Sequence, residues 1–182
     1  MSAYPIDVVR RALMLALMLA LMLAAGTQYL LAAERPESPD EAYLNALQRN
    51  WDMAGTVMGK AVKYHAHAER VLQGGFLRSH MIDASDAPTY EADVFSGFDP
   101  HARDYVSHWL DRFGAAGARV VATGKRMGSK LIITFPYAEA AFRDTFTRDE
   151  KSGTWALFIE SQTKDGTWST FANYVLVPEK TS

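Results

Sequence analysis

Hydrophobic and polar residues alternate in steps of two through most of the chain after Trp51. Turn-forming glycine, proline and aspartate residues interrupt this alternation about every twelve residues, as at Gly74-Gly75 and Lys164-Asp165-Gly166. The interruptions separate ten predicted strands, near residues 53–60, 62–72, 75–83, 89–97, 104–112, 117–125, 129–135, 141–148, 154–161 and 168–177. Short consecutive strands without room for crossover helices predict an all-β antiparallel meander, and a meander of this length most simply closes as a barrel.

A short helix is predicted before the first strand, within a segment of linker and helix that spans residues 34–50. Ser38 suits the N-cap, Pro39 suits the first helical position, and Glu41 completes a capping box with Ser38. One apolar stripe follows, formed by Tyr43, Leu44 and Leu47. The helix is therefore expected to pack against the barrel domain, residues 51–178, and to end at Asn50.

The first 26 residues have the order of a secretory signal peptide. Arg10 and Arg11 precede an uncharged apolar run of about fifteen residues, and Ala24 and Gly26 provide a small-x-small cleavage site. Ala33 offers a second site. The sequence thus predicts a periplasmic or secreted protein. In the alternative, residues 12–33 form one membrane anchor, and only then would the membrane be a partner.

Composition narrows the possible functions. The chain has 182 residues and no cysteine, which excludes disulfides, thiolate metal sites and cysteine nucleophiles. The formal net charge of −2 does not favour nucleic acid as a partner. Nucleophile-elbow, zincin, phosphate-loop and dinucleotide motifs are all absent from the sequence. These observations predict a protein that is not an enzyme and has no cofactor.

A hairpin over residues 90–114 contains most of the polar residues that point to a ligand site. Its turn is predicted at Asp99-Pro100, with Asp99 bonding its own turn backbone. Its second strand places four residues on one face, namely Tyr105, Ser107, Trp109 and Asp111. If this face lines the interior, aromatic walls and orienting hydrogen bonds form a small-molecule pocket. Arg143 is predicted either to join this site by pairing with Asp111 or to lie outside in water.

The second strand has a separate polar face that includes His65 and His67. Two histidines at this spacing can bind one metal ion, with Glu69 or His80 as the nearest third ligand. The other interpretation is a solvated face of a half-buried strand. Likewise, the face around Trp109 either lines a pocket or belongs to a filled barrel in which Asp111 caps a turn.

Two segments, VLQGGFLRS (71–79) and SGFDPHARDYVSHWLDRFG (96–114), resemble an uncharacterised bacterial family of lipocalin-like, or calycin-like, barrels known only as a domain of unknown function. The similar features are Gly74-Gly75, Gly97-Phe98-Asp99 and Trp109-Leu110-Asp111. The resemblance implies a calycin-like barrel and no particular activity. It also implies that Trp51 closes one end of the barrel, where a basic side chain often stacks on the ring.

Three functions remain open from the sequence. The first is an exported lipocalin-like barrel that binds a small apolar or amphipathic molecule in its interior without catalysis. The second is a barrel that holds haem or a metal through an inward-facing histidine. The third is a filled barrel that acts as an envelope interaction module.

Overall fold

The computed structural model describes residues 37–180. The predicted signal peptide of residues 1–26, the second cleavage site at Ala33 and the start of the linker lie outside the described residues. Within residues 37–180, no helix has the length and apolar character needed to cross a membrane.

Within residues 37–180, one α-helix, one short 3-10 helix (Leu72–Gly74) and ten strands follow each other in chain order. The helix, α1, is Pro39–Asn45. The strands are β1 (Asn50–Val57), β2 (Lys60–Val71), β3 (Phe76–Asp83), β4 (Glu91–Asp99), β5 (Asp104–Asp111), β6 (Val121–Met127), β7 (Lys130–Phe135), β8 (Phe142–Arg148), β9 (Trp155–Gln162) and β10 (Trp168–Pro178). Each strand pairs antiparallel with its neighbours in sequence, and β1 pairs with β10. The predicted all-β fold, a ten-stranded antiparallel meander closed as a calycin-like barrel with a short helix before it, is confirmed for the described residues.

Element boundaries differ from the prediction near β1 and β6. The helix ends at Asn45 rather than Asn50, because Asn50 already pairs with His67 in the β1–β2 ladder. Strand β6 begins at Val121 rather than near residue 117. The residues before it form turns, including a hydrogen bond from the Gly117 N–H to the Gly114 carbonyl at 3.3 Å. Small residues without β-branches there favour turn over ladder.

In the Gly74-Gly75 turn, the glycine with the left-handed conformation is not the one that the sequence predicts. The Gly-Gly turn in the sequence predicts a conformation closed to β-branched residues at Gly75, but Gly75 has ordinary right-handed helical angles, with φ −66°. The left-handed φ of +87° belongs to Gly74. The preceding Leu72 and Gln73 also have positive φ, at 52° and 58°. The conformation that requires glycine is therefore at Gly74.

Two glycines allow adjacent strands to approach closely. A Cβ atom on Gly55 would lie 1.8 Å from the backbone oxygen of Asn173 on β10. A Cβ atom on Gly124 would lie 2.1 Å from the backbone oxygen of Ile132 on β7. At both positions a side chain would collide with the backbone of the paired strand, so only glycine allows this close approach.

Helix α1 packs across one end of the barrel, the helix-capped end. Leu44 on its inner face is 1% exposed. The Tyr43 hydroxyl donates to the Ser129 carbonyl at 2.9 Å, and Arg126 Nε donates to Asp40 Oδ1 at 2.7 Å. These contacts attach the helix to β6 and to the turn between β6 and β7, so the barrel is closed on this side.

Trp51 lies at the same end, where the resemblance places it. Its side chain is 2% exposed, and its Nε1 donates to the Leu47 carbonyl at 2.8 Å. The cation near its ring is Arg49, whose guanidinium lies 5.4 Å from the ring centroid. The basic side chain beside the Trp51 ring therefore comes from a residue just before the first strand.

Candidate functional site

The barrel interior contains a cavity of about 50 Å³. Its wall is mostly apolar and includes Met53, Ala68, Trp109, Ile133, Phe146 and Leu157. A space of this size holds a few water molecules and is well below the roughly 300 to 1,000 Å³ of pockets for drug-sized ligands. The interior is thus largely, but not completely, filled by side chains.

Two of the predicted site residues face inward but bond to the barrel itself. Tyr105 is 1% exposed, and its hydroxyl donates to the Asp40 carboxylate at 3.0 Å at the helix-capped end. Ser107 is equally buried and shares a hydrogen bond of 3.0 Å with the hydroxyl of Ser96. Both side chains therefore hold the structure together where the sequence predicted ligand contacts.

Trp109 and Asp111 lie further along the same face. Of the five predicted site residues, all of them described, Trp109 is the one that lines the cavity. Its indole Nε1 donates to the Tyr90 hydroxyl at 3.2 Å. Asp111 Oδ1 accepts a hydrogen bond from the Phe113 N–H at 3.0 Å, so it caps the turn after β5. Its charge also acts on Tyr90 and Tyr137.

Arg143 does not join this group, which corrects the grouping predicted from the sequence. Its Nε and Nη2 atoms donate to Glu160 Oε2 at 2.9 and 2.7 Å, and its guanidinium lies 4.3 Å from the Trp168 ring centroid. Side chains alternate along β8, and the next residue, Asp144, points inward. Arg143 is therefore on the outer face, where it cannot reach Asp111.

Asp144 is the interior carboxylate that the sequence reasoning missed. It is 3% exposed and lies between Phe142 and Phe146 on the inner face of β8. In register it lies opposite Ile133 on β7 and Ile159 on β9. Burial in these apolar surroundings raises the pKa of Asp144 to about 7. A signal was present in the sequence, because F-x-D-x-F on one strand puts aspartate on the same face as two aromatic residues.

The carboxylate of Asp144 has no protein partner among residues 37–180, where neither a hydrogen bond nor a salt bridge involves it. Every completely enclosed side-chain nitrogen or oxygen of the described residues does have a hydrogen-bond partner. The Asp144 oxygens therefore keep a small accessible area toward the interior. Unpaired buried carboxylates are rare, because desolvation of the charge is costly.

Aromatic side chains gather at the end of the barrel opposite the helix, here called the aromatic end. Four half-buried rings mark it, those of Tyr90, Tyr137, Phe142 and Phe171. Tyr137 stacks on Phe135 at 6.0 Å, and Phe142 meets Phe171 edge-on at 5.1 Å. Burial, followed by the charges of Asp111 and Asp144, raises the pKa of Tyr137. The phenol therefore stays neutral around physiological pH.

Two further tyrosines lie deeper beside this end. Tyr64 is 5.8 Å from Tyr90 and 5.9 Å from Tyr174 between ring centroids, in both cases edge-on. Burial is the main cause that raises the pKa of Tyr64 and Tyr174. The charge of Asp144 contributes to the rise for Tyr174. Asp144 is thus within electrostatic reach of phenol rings on two sides.

The histidines of β2 lie on the outer face, as the solvated-face interpretation expected. His65 Nδ1 is 3.5 Å from Asp52 Oδ1, and His67 Nδ1 lies 2.6 Å from Asn50 Oδ1. Residues 37–180 contain no group of three or more side chains placed to hold a metal ion. His80 pairs with Asp93 at 3.1 Å on the same outer face. The third ligand required for a metal site on β2 is therefore not assembled.

A haem ligand would need a histidine that faces inward. His108 on β5 alternates with the inward Ser107 and Trp109, and its Nε2 lies 2.7 Å from the Ala118 carbonyl. Together with His65, His67 and His80, it points away from the interior. The histidines named for the haem alternative thus do not meet its requirement.

The barrel interior therefore combines an apolar cavity, a buried carboxylate without a protein partner and a cluster of neutral phenols. A comparison of the chain with protein-family models finds no match, and a search of curated proteins finds no significant match.

Proposed function

We propose that this protein is an exported lipocalin-like barrel that binds a small, partly apolar molecule in its interior and does not convert it chemically. The observation that carries the proposal is the interior cavity, whose wall includes Met53, Trp109 and Leu157. A ligand placed there would bury apolar surface against a wall fixed by hydrogen-bonded strands. Affinity would come from burial and specificity from the few polar groups nearby.

The polar groups of the interior support a binding role over a purely structural core. Ser79 and Ser96 contribute to the cavity wall, and Asp144 lies directly beside Ile133 and Phe146, which also line it. A core selected for stability alone gains nothing from a buried carboxylate without a partner. A ligand with a group that pairs with the Asp144 carboxylate would account for this residue.

The size of the cavity limits what can bind. About 50 Å³ fits a short chain or a few waters, so a larger ligand must displace side chains. The rings of Tyr90, Tyr137 and Phe142 lie at the aromatic end and are only half-buried. The aromatic end is therefore the expected entrance, because helix α1 closes the other end.

A cavity-filling substitution tests the site. In Ala68→Leu the added side chain occupies the cavity that Ala68 lines, and 1-butanol binding, followed by NMR titration of the wild type and the variant, is expected to weaken at least about tenfold. Ala61→Leu is the matched control, because Ala61 is on the same strand but exposed. It is expected to bind 1-butanol as the wild type does.

Failure of the wild type to bind 1-butanol, or equal binding by Ala68→Leu and the wild type, would show that the cavity is not a ligand site. Ala66→Leu repeats the test at a second wall position if Ala68→Leu does not fold. Perturbed resonances confined to residues outside the barrel would also contradict the proposal.

The second candidate function is a filled barrel that acts as an envelope interaction module. The observation that favours it is the small size of the cavity. Asp111 also caps a turn, as that interpretation expects. This function predicts that the wild type binds no small interior ligand, so the titration above separates it from the first.

Export is proposed from the order of basic, apolar and small residues at the start of the sequence. The mature chain is expected to begin between Thr27 and Glu34 and to be found outside the cytoplasm. Intact-mass measurement of the protein recovered from its own host checks this. A mass that still includes residues 1–26, in a membrane fraction, would establish the anchor instead.

A further inference from the structure

We propose that the ligand of this barrel carries a protonated amine, and that Asp144 is its counter-ion. This inference rests on the proposed function, because it names the chemical class of the molecule bound in the interior. Its basis is the position of one carboxylate, 3% exposed and without a protein partner in residues 37–180, inside the barrel.

The unbalanced charge of Asp144 favours a cationic ligand. A buried carboxylate is normally stabilised by a cation or by several N–H donors. The arginines of the described barrel that contact carboxylates use other ones: Arg78 binds Asp93, Arg126 binds Asp40, and Arg143 binds Glu160. Asp144 therefore lacks the cation that these other carboxylates have, and a cationic ligand can supply it.

The aromatic rings near Asp144 also suit a cation. Tyr137 and Tyr174 lie within electrostatic reach of Asp144, and both remain neutral because burial raises their pKa. Aromatic faces attract ammonium groups, and neutral phenol oxygens can accept their N–H bonds. Asp111 adds a second negative charge close to Tyr137. These groups suit an ammonium group and disfavour an anion.

The cavity wall near Asp144 can contact an apolar part of the same ligand. Two neighbours of Asp144 also line the cavity, Phe146 on the same strand and Ile133 on β7. Leu157 on β9 lies opposite Phe146 in register and continues this wall. An amine held at Asp144 can therefore extend a short hydrocarbon chain along this wall. The expected ligand is a primary amine with a small apolar stem, which enters from the aromatic end.

A matched pair of probes tests the inference. n-Butylamine is charged at pH 8, and 1-butanol has the same stem without the charge. In an NMR titration at pH 8, the wild type is expected to bind the amine at least about tenfold more tightly than the alcohol, since hydrogen bonds to charged groups are worth more than neutral ones. Asp144→Asn is expected to remove this preference.

Asp52→Asn is the control, because Asp52 is an exposed carboxylate on the outer face of β1. It is expected to keep the preference for the amine. A direct measurement on the wild type supplements the variants: carboxyl carbon NMR should show that n-butylamine lowers the pKa of Asp144, whereas 1-butanol does not. This measurement needs no substitution and so does not depend on how any variant folds.

The outcomes separate this inference from the proposed function. Equal affinity of the wild type for both probes, or an amine preference that survives in Asp144→Asn, overturns the assignment of Asp144 and leaves the interior site standing. Absence of binding by either probe overturns both proposals.

Discussion

At pH 8, the Asp144→Asn variant is expected to be more stable than the wild type by about 4 kcal/mol. Burial raises the pKa of Asp144 from 3.8 to about 7, so the folded protein favours the neutral carboxyl. A difference of that size corresponds to about 4 kcal/mol once the group is ionised. Asparagine resembles the neutral form and avoids this penalty.

The gain should depend on pH. Between pH 3.8 and about 7 the folded state holds a proton that the unfolded state has released, so this contribution to wild-type stability falls as pH rises through that window. Tyr137 and Tyr174 are the titratable groups of residues 37–180 found to interact with Asp144, and they stay neutral throughout. The advantage of Asp144→Asn should therefore be near zero at pH 4.

Urea unfolding of both proteins at pH 4 and pH 8 measures the two differences. Asp52→Asn serves as the control, since this exposed residue should change stability little at either pH. Equal stability of Asp144→Asn and the wild type at pH 8 would mean that Asp144 is paired or solvated in the folded protein. The preference for amines would then lose its electrostatic basis as well.

Gly55→Ala is expected to destabilise the barrel by about 3 kcal/mol or more. The new Cβ would lie 1.8 Å from the Asn173 carbonyl oxygen and 2.8 Å from the Tyr174 Cα. Both are backbone atoms of β10, so relief requires the strand to move and its ladder with β1 to loosen. Thermal or urea unfolding measures the loss.

Gly117→Ala is the matched control. A Cβ atom there meets nothing within 4 Å, and the residue does not have positive φ. Its stability should remain close to that of the wild type. If both variants unfold at the wild-type midpoint, the close contact of β1 and β10 at Gly55 is wrong.

The fold was predictable because the two strands of each hairpin and the turn between them are consecutive in the sequence. Alternation in twos identifies a strand that is buried on one side, and glycine or aspartate marks each turn, as Asp99 does by accepting the His101 N–H at 2.8 Å. The sequence does not show which of the adjacent glycines, Gly74 or Gly75, takes the left-handed conformation. That depends on the positive φ of Leu72 and Gln73 before Gly74, which no composition rule for turns specifies.

The site was predictable only in part, because a step of one residue along a strand exchanges the inner and outer faces. On β5, the sequence put Trp109 on one face with Tyr105 and Ser107 and left open whether that face lines the interior; in the structure it does. On β8, Arg143 was predicted as a site residue because its charge could complement Asp111. Asp144 lies inside instead, because it shares a face with Phe142 and Phe146. The partners of Tyr105 and Ser107 come from α1 and β4, and such long-range contacts are not visible in either segment alone.

The pairing of β1 with β10 also determines how this barrel must assemble. Every other strand pair joins neighbours in sequence, but Trp51 pairs with Pro178 across the whole length of the barrel segment. Closing so long a loop carries the largest entropic cost of any pairing in the sheet. The seam between these two strands is therefore expected to form last during folding.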